Sequence, residues 1–229
     1  MRNRVGLRIL CLIAFLGAVT PGFSASFFSF SGNFTQDDEH AVFTFTLGAP
    51  GTVALQSWSY AGGVDPLANI VSAGGFGPVL SLFDSGGDLI NFDRGGTVGG
   101  LPPNDCGTGG RGVDVVSGQC LDAYLQISLG FAGVYTVVLT EQDNTPNGPT
   151  LADGFALDGT GNFTGGPFID AGGFQRNSFY HFTVGPVDSA QPEGIPEPGT
   201  AALALGALIL GGVTARKRLW SSRVRRKRI

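Results

Sequence analysis

Ala123-Tyr124-Leu125-Gln126-Ile127-Ser128-Leu129 alternates its apolar residues with Tyr124, Gln126 and Ser128. Successive side chains of an extended chain point to opposite faces, so Ala123, Leu125, Ile127 and Leu129 share one face and the segment reads as a half-buried strand. Phe43, Phe45 and Leu47 repeat the pattern against Thr44 and Thr46. Tyr135, Val137 and Leu139 repeat it after the turn at Ala132-Gly133, and Tyr180, Phe182 and Val184 form a last apolar face. Runs at 52–60, 78–83 and 88–92 bring the expected strands to at least seven. No long apolar pattern of period 3.6 competes with them. Short strands separated by Gly, Asn and Asp turns, with no crossover helices, predict an all-β fold: an antiparallel sandwich, jelly-roll-like, with one core. Two long loops are expected, at 99–118 and 144–173.

The two ends read differently. Arg2, Arg4 and Arg8 precede the apolar stretch 9–19, Pro21-Gly22 breaks the helix, and Ser24, Ala25 and Ser26 supply small residues for cleavage. Residues 1–26 therefore read as a secretory signal helix. Cys11 lies inside it and leaves with it. At the other end, Ile195-Pro196-Glu197-Pro198-Gly199-Thr200 leads into the apolar stretch Ala201 to Val213 and then into Arg216-Lys217-Arg218 and the basic run 223–228. A Lys/Arg cluster beside an apolar helix stays cytoplasmic, so the domain between the ends is expected to be exported, with the C-terminal helix as its membrane contact. Pro-Glu-Pro (Pro196, Glu197, Pro198), a short apolar helix and an Arg-rich end closely resemble the PEP-CTERM sorting signal of Gram-negative bacteria that make exopolysaccharide. The resemblance implies recognition and removal of the tail by an exosortase, with delivery to the outer surface or extracellular matrix. An ordinary single-pass anchor is the other reading. The apolar stretch from Thr200 to Thr214 is shorter than the roughly 20 residues that cross a bilayer. The expected division is signal 1–26, ectodomain 27–184, Pro-rich linker 185–199, and sorting helix with basic tail 200–229.

Between Asp37 and Glu197 lie all eighteen Asp and Glu residues, against only Arg94, Arg111 and Arg176. Such a surface repels nucleic acid and anionic lipid, which leaves cations and neutral or cationic polymers as natural partners. Exopolysaccharide is a partner that the resemblance to the sorting signal implies. Cys106 and Cys120, in an oxidising exported setting, read as a disulfide closing a loop of about 15 residues and contributing roughly 3 kcal/mol in the chain-entropy model.

The segments 78–90 and 132–139 are similar to the hairpins of bacterial pre-peptidase C-terminal domains. Those are small β-sandwiches attached to secreted enzymes or surface proteins, and they assist binding or secretion without catalysis. Phe34-Thr35-Gln36-Asp37-Asp38, Trp58-Ser59-Tyr60-Ala61-Gly62-Gly63, Asp153-Gly154-Phe155 and Gly161-Asn162-Phe163-Thr164 look like a wider group of PEP-CTERM proteins.

No catalytic residues are expected. His40 and His181 lack a Gly-x-Ser-x-Gly or His-x-x-x-His context and read as solvated surface residues. Carboxylate pairs for glycoside hydrolysis are abundant, but their separation is not readable from sequence. Calcium is the metal that these oxygen donors suit. The candidates are Asp37, Asp38 and Glu39; Asp84, Asp88 and Asp93; and Asp143, Asn144, Asp153 and Asp158. None matches an Asp-x-Asp-x-Asp-Gly loop, and turn caps are the competing account of each. Trp58 and Tyr60, beside a Gly-rich turn, are candidates for stacking on sugar rings, against a core role.

Overall fold

The alternating segments are strands in the computed structural model, which describes residues 25–95, 112–160, 168–170 and 172–193. In chain order they are β1 (Ser26–Asn33), β2 (Ala41–Leu47), β3 (Gly51–Ser57), β4 (Gly63–Val64), β5 (Ile70–Val71), β6 (Pro78–Phe83), β7 (Leu89–Asp93), β8 (Tyr124–Leu129), β9 (Gly133–Glu141), β10 (Phe179–Val187) and β11 (Ser189–Pro192). Four of them form one sheet in the order β1-β10-β3-β8, and five form a second in the order β11-β2-β9-β6-β7. All pairings in both sheets are antiparallel. The expected all-β antiparallel sandwich is therefore the fold of the described residues.

Period-two alternation accounts for the core. Phe43, Phe45 and Leu47 of β2, Leu80 and Leu82 of β6, and Tyr135, Val137 and Leu139 of β9 come from one sheet. Val53 and Leu55 of β3, Leu125 and Leu129 of β8, and Phe182 and Val184 of β10 meet them from the other. Phe43 and Phe182 touch edge to face across the interlayer, with centroids 4.7 Å apart. A smaller cluster lies on the outer face of the five-stranded sheet. There Phe83, Val138 and Phe155 are buried, with Val42, Leu89 and Leu151 against them, so the segment after β9 covers that face.

Three expectations need correction. The Pro-rich linker does not begin at Gly185: β10 continues through Gly185 and Pro186 to a buried Val187, and β11 follows after a single residue. Pro186 is exposed and interrupts neither the strand nor its burial. A further strand, β1, was not expected. It starts at Ser26, the last residue assigned to the signal, and Ser26 pairs with Val187. Finally, His181 does lie on the outer face of β10, but that face is covered, and only 8 % of the residue is exposed. The signal segment 1–24 and the sorting segment 194–229 lie outside the described residues. No helix among the described residues is long and apolar enough to cross a membrane.

Candidate functional site

At one end of the sandwich Arg176 meets two of the acidic residues. Tyr60 lies just beyond β3, Asp114 and Ser117 in the loop before β8, and Asp170 and Arg176 in the segment before β10. Arg176 donates from Nη2 to Asp114 Oδ2 (2.8 Å) and from Nε to Asp170 Oδ2 (2.8 Å). Its Nη2 also donates to the Tyr60 hydroxyl at 2.6 Å, and the guanidinium lies over the Tyr60 ring at 4.0 Å from the centroid. The Tyr60 hydroxyl donates in turn to Asp170 Oδ2 at 2.6 Å. Tyr60, Asp114, Asp170 and Arg176 are all buried.

The electrostatics lock this cluster in one protonation state. Burial alone would raise the Asp114 and Asp170 carboxyls. The bonds from Arg176 and Ser117 to Asp114, and from Tyr60, the Phe174 amide and Arg176 to Asp170, outweigh it and hold both below the usual range. Burial, and then the bond to Asp170, push the Tyr60 hydroxyl up, so it stays protonated. Burial would lower the Arg176 guanidinium, but its bonds to Asp114 and Asp170 more than reverse this. Every group has a saturated partner, so the cluster neither gives nor takes a proton at neutral pH. Asp122 completes the arrangement by accepting from Ser57 Oγ (2.9 Å) and from the amides of Tyr60 (3.1 Å) and Ala61 (2.9 Å). Three chain segments that diverge from the strands are thereby tied together.

A second buried contact joins His181 Nε2 to Asp65 Oδ2 at 2.9 Å. Asp65 also accepts from the amides of Leu67 and Asn69 and from Asn69 Nδ2. Burial would raise its carboxyl, yet the bonds from Asn69, His181 and Leu67 bring it below the usual range. His40 Nε2 contacts Asp158 Oδ1 at 2.7 Å and packs on Phe155. Both histidines are thus partnered, and His181 is not the solvated residue the sequence suggested. Among the described residues no hydroxyl or thiol is hydrogen-bonded to either ring, which leaves these pairs without a nucleophile to activate.

The calcium candidates are dispersed over separate turns. Asp84 Oδ1 accepts from the amides of Gly86 (2.8 Å) and Asp88 (3.0 Å) at the tip between β6 and β7. Asp93 Oδ2 accepts from the Tyr124 amide at 2.7 Å, joining β7 to β8. Asp153 Oδ2 accepts from the amide and hydroxyl of Thr150, a capping box on a 3₁₀ turn at Leu151–Asp153. Asp158 Oδ2 accepts from the Phe155 amide. Glu39 accepts from the amide and hydroxyl of Thr35, and Asp37 and Asp38 lie in the same turn, both with partners of their own. Asn144 is buried and accepts from the Leu157 amide, while the Asp143 amide donates to Glu141. Among the described residues no three His, Cys, Asp or Glu side chains are gathered so as to hold a metal ion.

Trp58 and Tyr60 are not a sugar platform. Tyr60 is wholly buried beneath Arg176, and Trp58 is buried with its Nε1 donating to Thr183 Oγ1 at 3.1 Å. Neither ring offers a face to solvent. Cys120 is buried and is not a free thiol. Its expected partner Cys106 lies outside the described residues, as do Pro196, Glu197 and Pro198.

Sequence reasoning missed the Arg176 cluster, although one signal was available: with only three arginines among eighteen acidic residues, a buried one must meet some of the carboxylates. It also missed Glu141, which is buried at the end of β9 with no cation bonded to it among the described residues. Burial, opposed by the Asp143 amide and reinforced by the Asp143 charge, pushes its carboxyl up to about 7. Neither a protein-family profile nor a curated protein matches the sequence.

Proposed function

We propose that this is an exported, non-catalytic β-sandwich protein of the cell surface or extracellular matrix, sorted by its PEP-CTERM-like tail and associated with exopolysaccharide. The supporting observation is how near in sequence the described pairing comes to both terminal signals. β1 begins at Ser26, and the Glu193 amide donates to Val42 O at 2.8 Å, three residues before the motif at Pro196. Saturation of the Arg176 cluster favours the non-catalytic reading over hydrolysis.

The finer fold assignment belongs with this reading. With β4, β5 and β11 set aside, the orders β1-β10-β3-β8 and β2-β9-β6-β7 match two interleaved Greek keys, which is the jelly-roll arrangement. The staple between Cys106 and Cys120 is likewise part of the proposal, and two free thiols by alkylation and mass spectrometry would remove it. The test of sorting is the intact mass of the surface-exposed protein in a host that contains an exosortase. A mature form ending near residues 196–199 is expected, and Glu197→Ala leaves the precursor uncut. A surface form that retains the basic run 223–228 overturns the proposal in favour of a simple anchor.

A further inference from the structure

β11 is the most weakly held strand of the five-stranded sheet, and we propose that it is a detachable strap whose release gives the processing enzyme access to the C-terminal motif. This inference rests on the sorting reading above. β11 is four residues long, at the sheet edge, and of its side chains only Ala190 is more than slightly covered, resting against the core. No side chain of residues 189–192 makes a hydrogen bond among the described residues. The strand is held by its ladder with β2, in which Ser189, Ala190, Gln191 and Pro192 lie opposite Thr46, Phe45, Thr44 and Phe43. The Glu193 amide closes one end of that ladder on Val42, and Asp188 fixes the other by accepting from the Gly48 amide.

Alternation along the strand gives the ladder its direction. Since the Glu193 amide points at β2, those of Gln191 and Ser189 do too, while positions 190 and 192 face outward. Pro192, which has no N–H, therefore stands where none is needed. It also blunts the outer edge against another strand.

Reach is the functional consequence. While β11 is paired, three residues separate Glu193 from Pro196, which span about 10 Å at most. The chain then tethers the motif within that distance of the sheet edge. Once β11 peels away, the free tether starts at Val187, and nine residues cover about 30 Å. The core loses little, because Phe43, Phe45 and Leu47 stay paired with β9, Phe43 stays against Phe182 of β10, and Phe45 stays stacked on Tyr135.

Two measurements on the full chain test this. The first locks the strap with Thr44→Cys and Gln191→Cys, a directly opposed pair on the outer face, with each single variant as control. In an exosortase-containing host the locked chain is expected to be trimmed at least tenfold more slowly than wild type, with reductant restoring the rate. Equal trimming of locked and wild-type chains overturns the strap. A wild-type chain that is never trimmed overturns the sorting reading and the strap's role with it. The second is hydrogen exchange, which needs no enzyme. The Val42, Thr44 and Thr46 amides, which face β11, should exchange at least a hundredfold faster than those of Phe43 and Phe45, which face β9. Equal protection on the two sides of β2 would show that β11 does not open ahead of the sheet.

Discussion

The Arg176 cluster and the corner where the β6–β7 turn meets residues 149–153 both gather carboxylates, and they satisfy them in opposite ways. At the corner, Asp84 and Asp153 are exposed or nearly so, and each accepts from amides within four residues of itself. In the cluster, Asp114 and Asp170 are buried and share one guanidinium, and Arg176 is 62 residues from Asp114. Local partners shape a turn, whereas remote ones fasten three segments together. The loss of one partner should therefore be felt locally in the first case and throughout the domain in the second.

The largest expected effect comes from Arg176→Met, which strands two buried carboxylates. Breaking a buried pair in this way costs about 3–5 kcal/mol. At roughly 2–4 °C per kcal/mol for a domain of this size, melting should fall by about 10 °C. A fall within a degree or two would erase the contrast between cluster and corner.

Glu141 stands between the two regions, since it is buried like the cluster but has only backbone donors. A carboxyl held near 7 in the fold and at its ordinary value in the unfolded chain keeps its proton longer when folded. Stability from this group is therefore greatest at low pH and declines as pH rises from about 4.5 to about 7, by at most about 3 kcal/mol. Asp65, Asp114 and Asp170 act in the opposite sense: their lowered values stabilise the fold above the ordinary carboxylate range, and that contribution is lost as pH falls below it. Denaturant midpoints should peak at mildly acidic pH, and Glu141→Gln should flatten the descent toward neutrality. An unchanged slope in that variant would assign the descent to other groups.

Tyr60→Phe removes one hydroxyl from the cluster and leaves its ring under Arg176. An unsatisfied buried partner costs about 1–3 kcal/mol, so chemical denaturation should place this variant between Arg176→Met and any change at the corner. Asp153→Ala removes only a cap, worth about 1 kcal/mol. A larger loss there than in Tyr60→Phe would invert the comparison. The smallest effect concerns cations. Because Asp84, Asp153 and Asp158 already accept from amides of their own turns, calcium chloride and sodium chloride at matched ionic strength should shift melting equally. A clear excess with calcium, abolished by Asp84→Asn with Asp88→Asn, would mean that the corner holds an ion.

Much of the sandwich is legible because burial on one face leaves a period-two mark. β2 and β8 carry that mark in full and β9 carries it at Tyr135, Val137 and Leu139, and the sequence places all three. β1 escapes because Phe28 and Phe30 directly follow the small residues of the signal, whose reading claims Ser26. β11 escapes for a different reason: Ser-Ala-Gln-Pro is held through its backbone, which leaves no pattern in the side chains. Gly185-Pro186 looks like a break, yet the exposed position of Pro186 in β10 lets the strand run on to Val187. The site was less legible still. Asp114 and Asp170 are separated by 56 residues of chain and are joined through Arg176 and Tyr60, so no local spacing announces them. The turn aspartates were visible as residue types, but their occupancy by neighbouring amides is a matter of three-dimensional geometry.

The pairing of β1 with β10 sets a timetable for folding. Ser31 lies opposite His181, so the first strand has no neighbour in its own sheet until about 150 further residues have emerged. Contacts so distant in sequence make closure slow relative to local structure. Under the proposed export this delay is useful: the four-stranded sheet cannot close on a half-delivered polypeptide, and β10, the last of its strands to emerge, completes it.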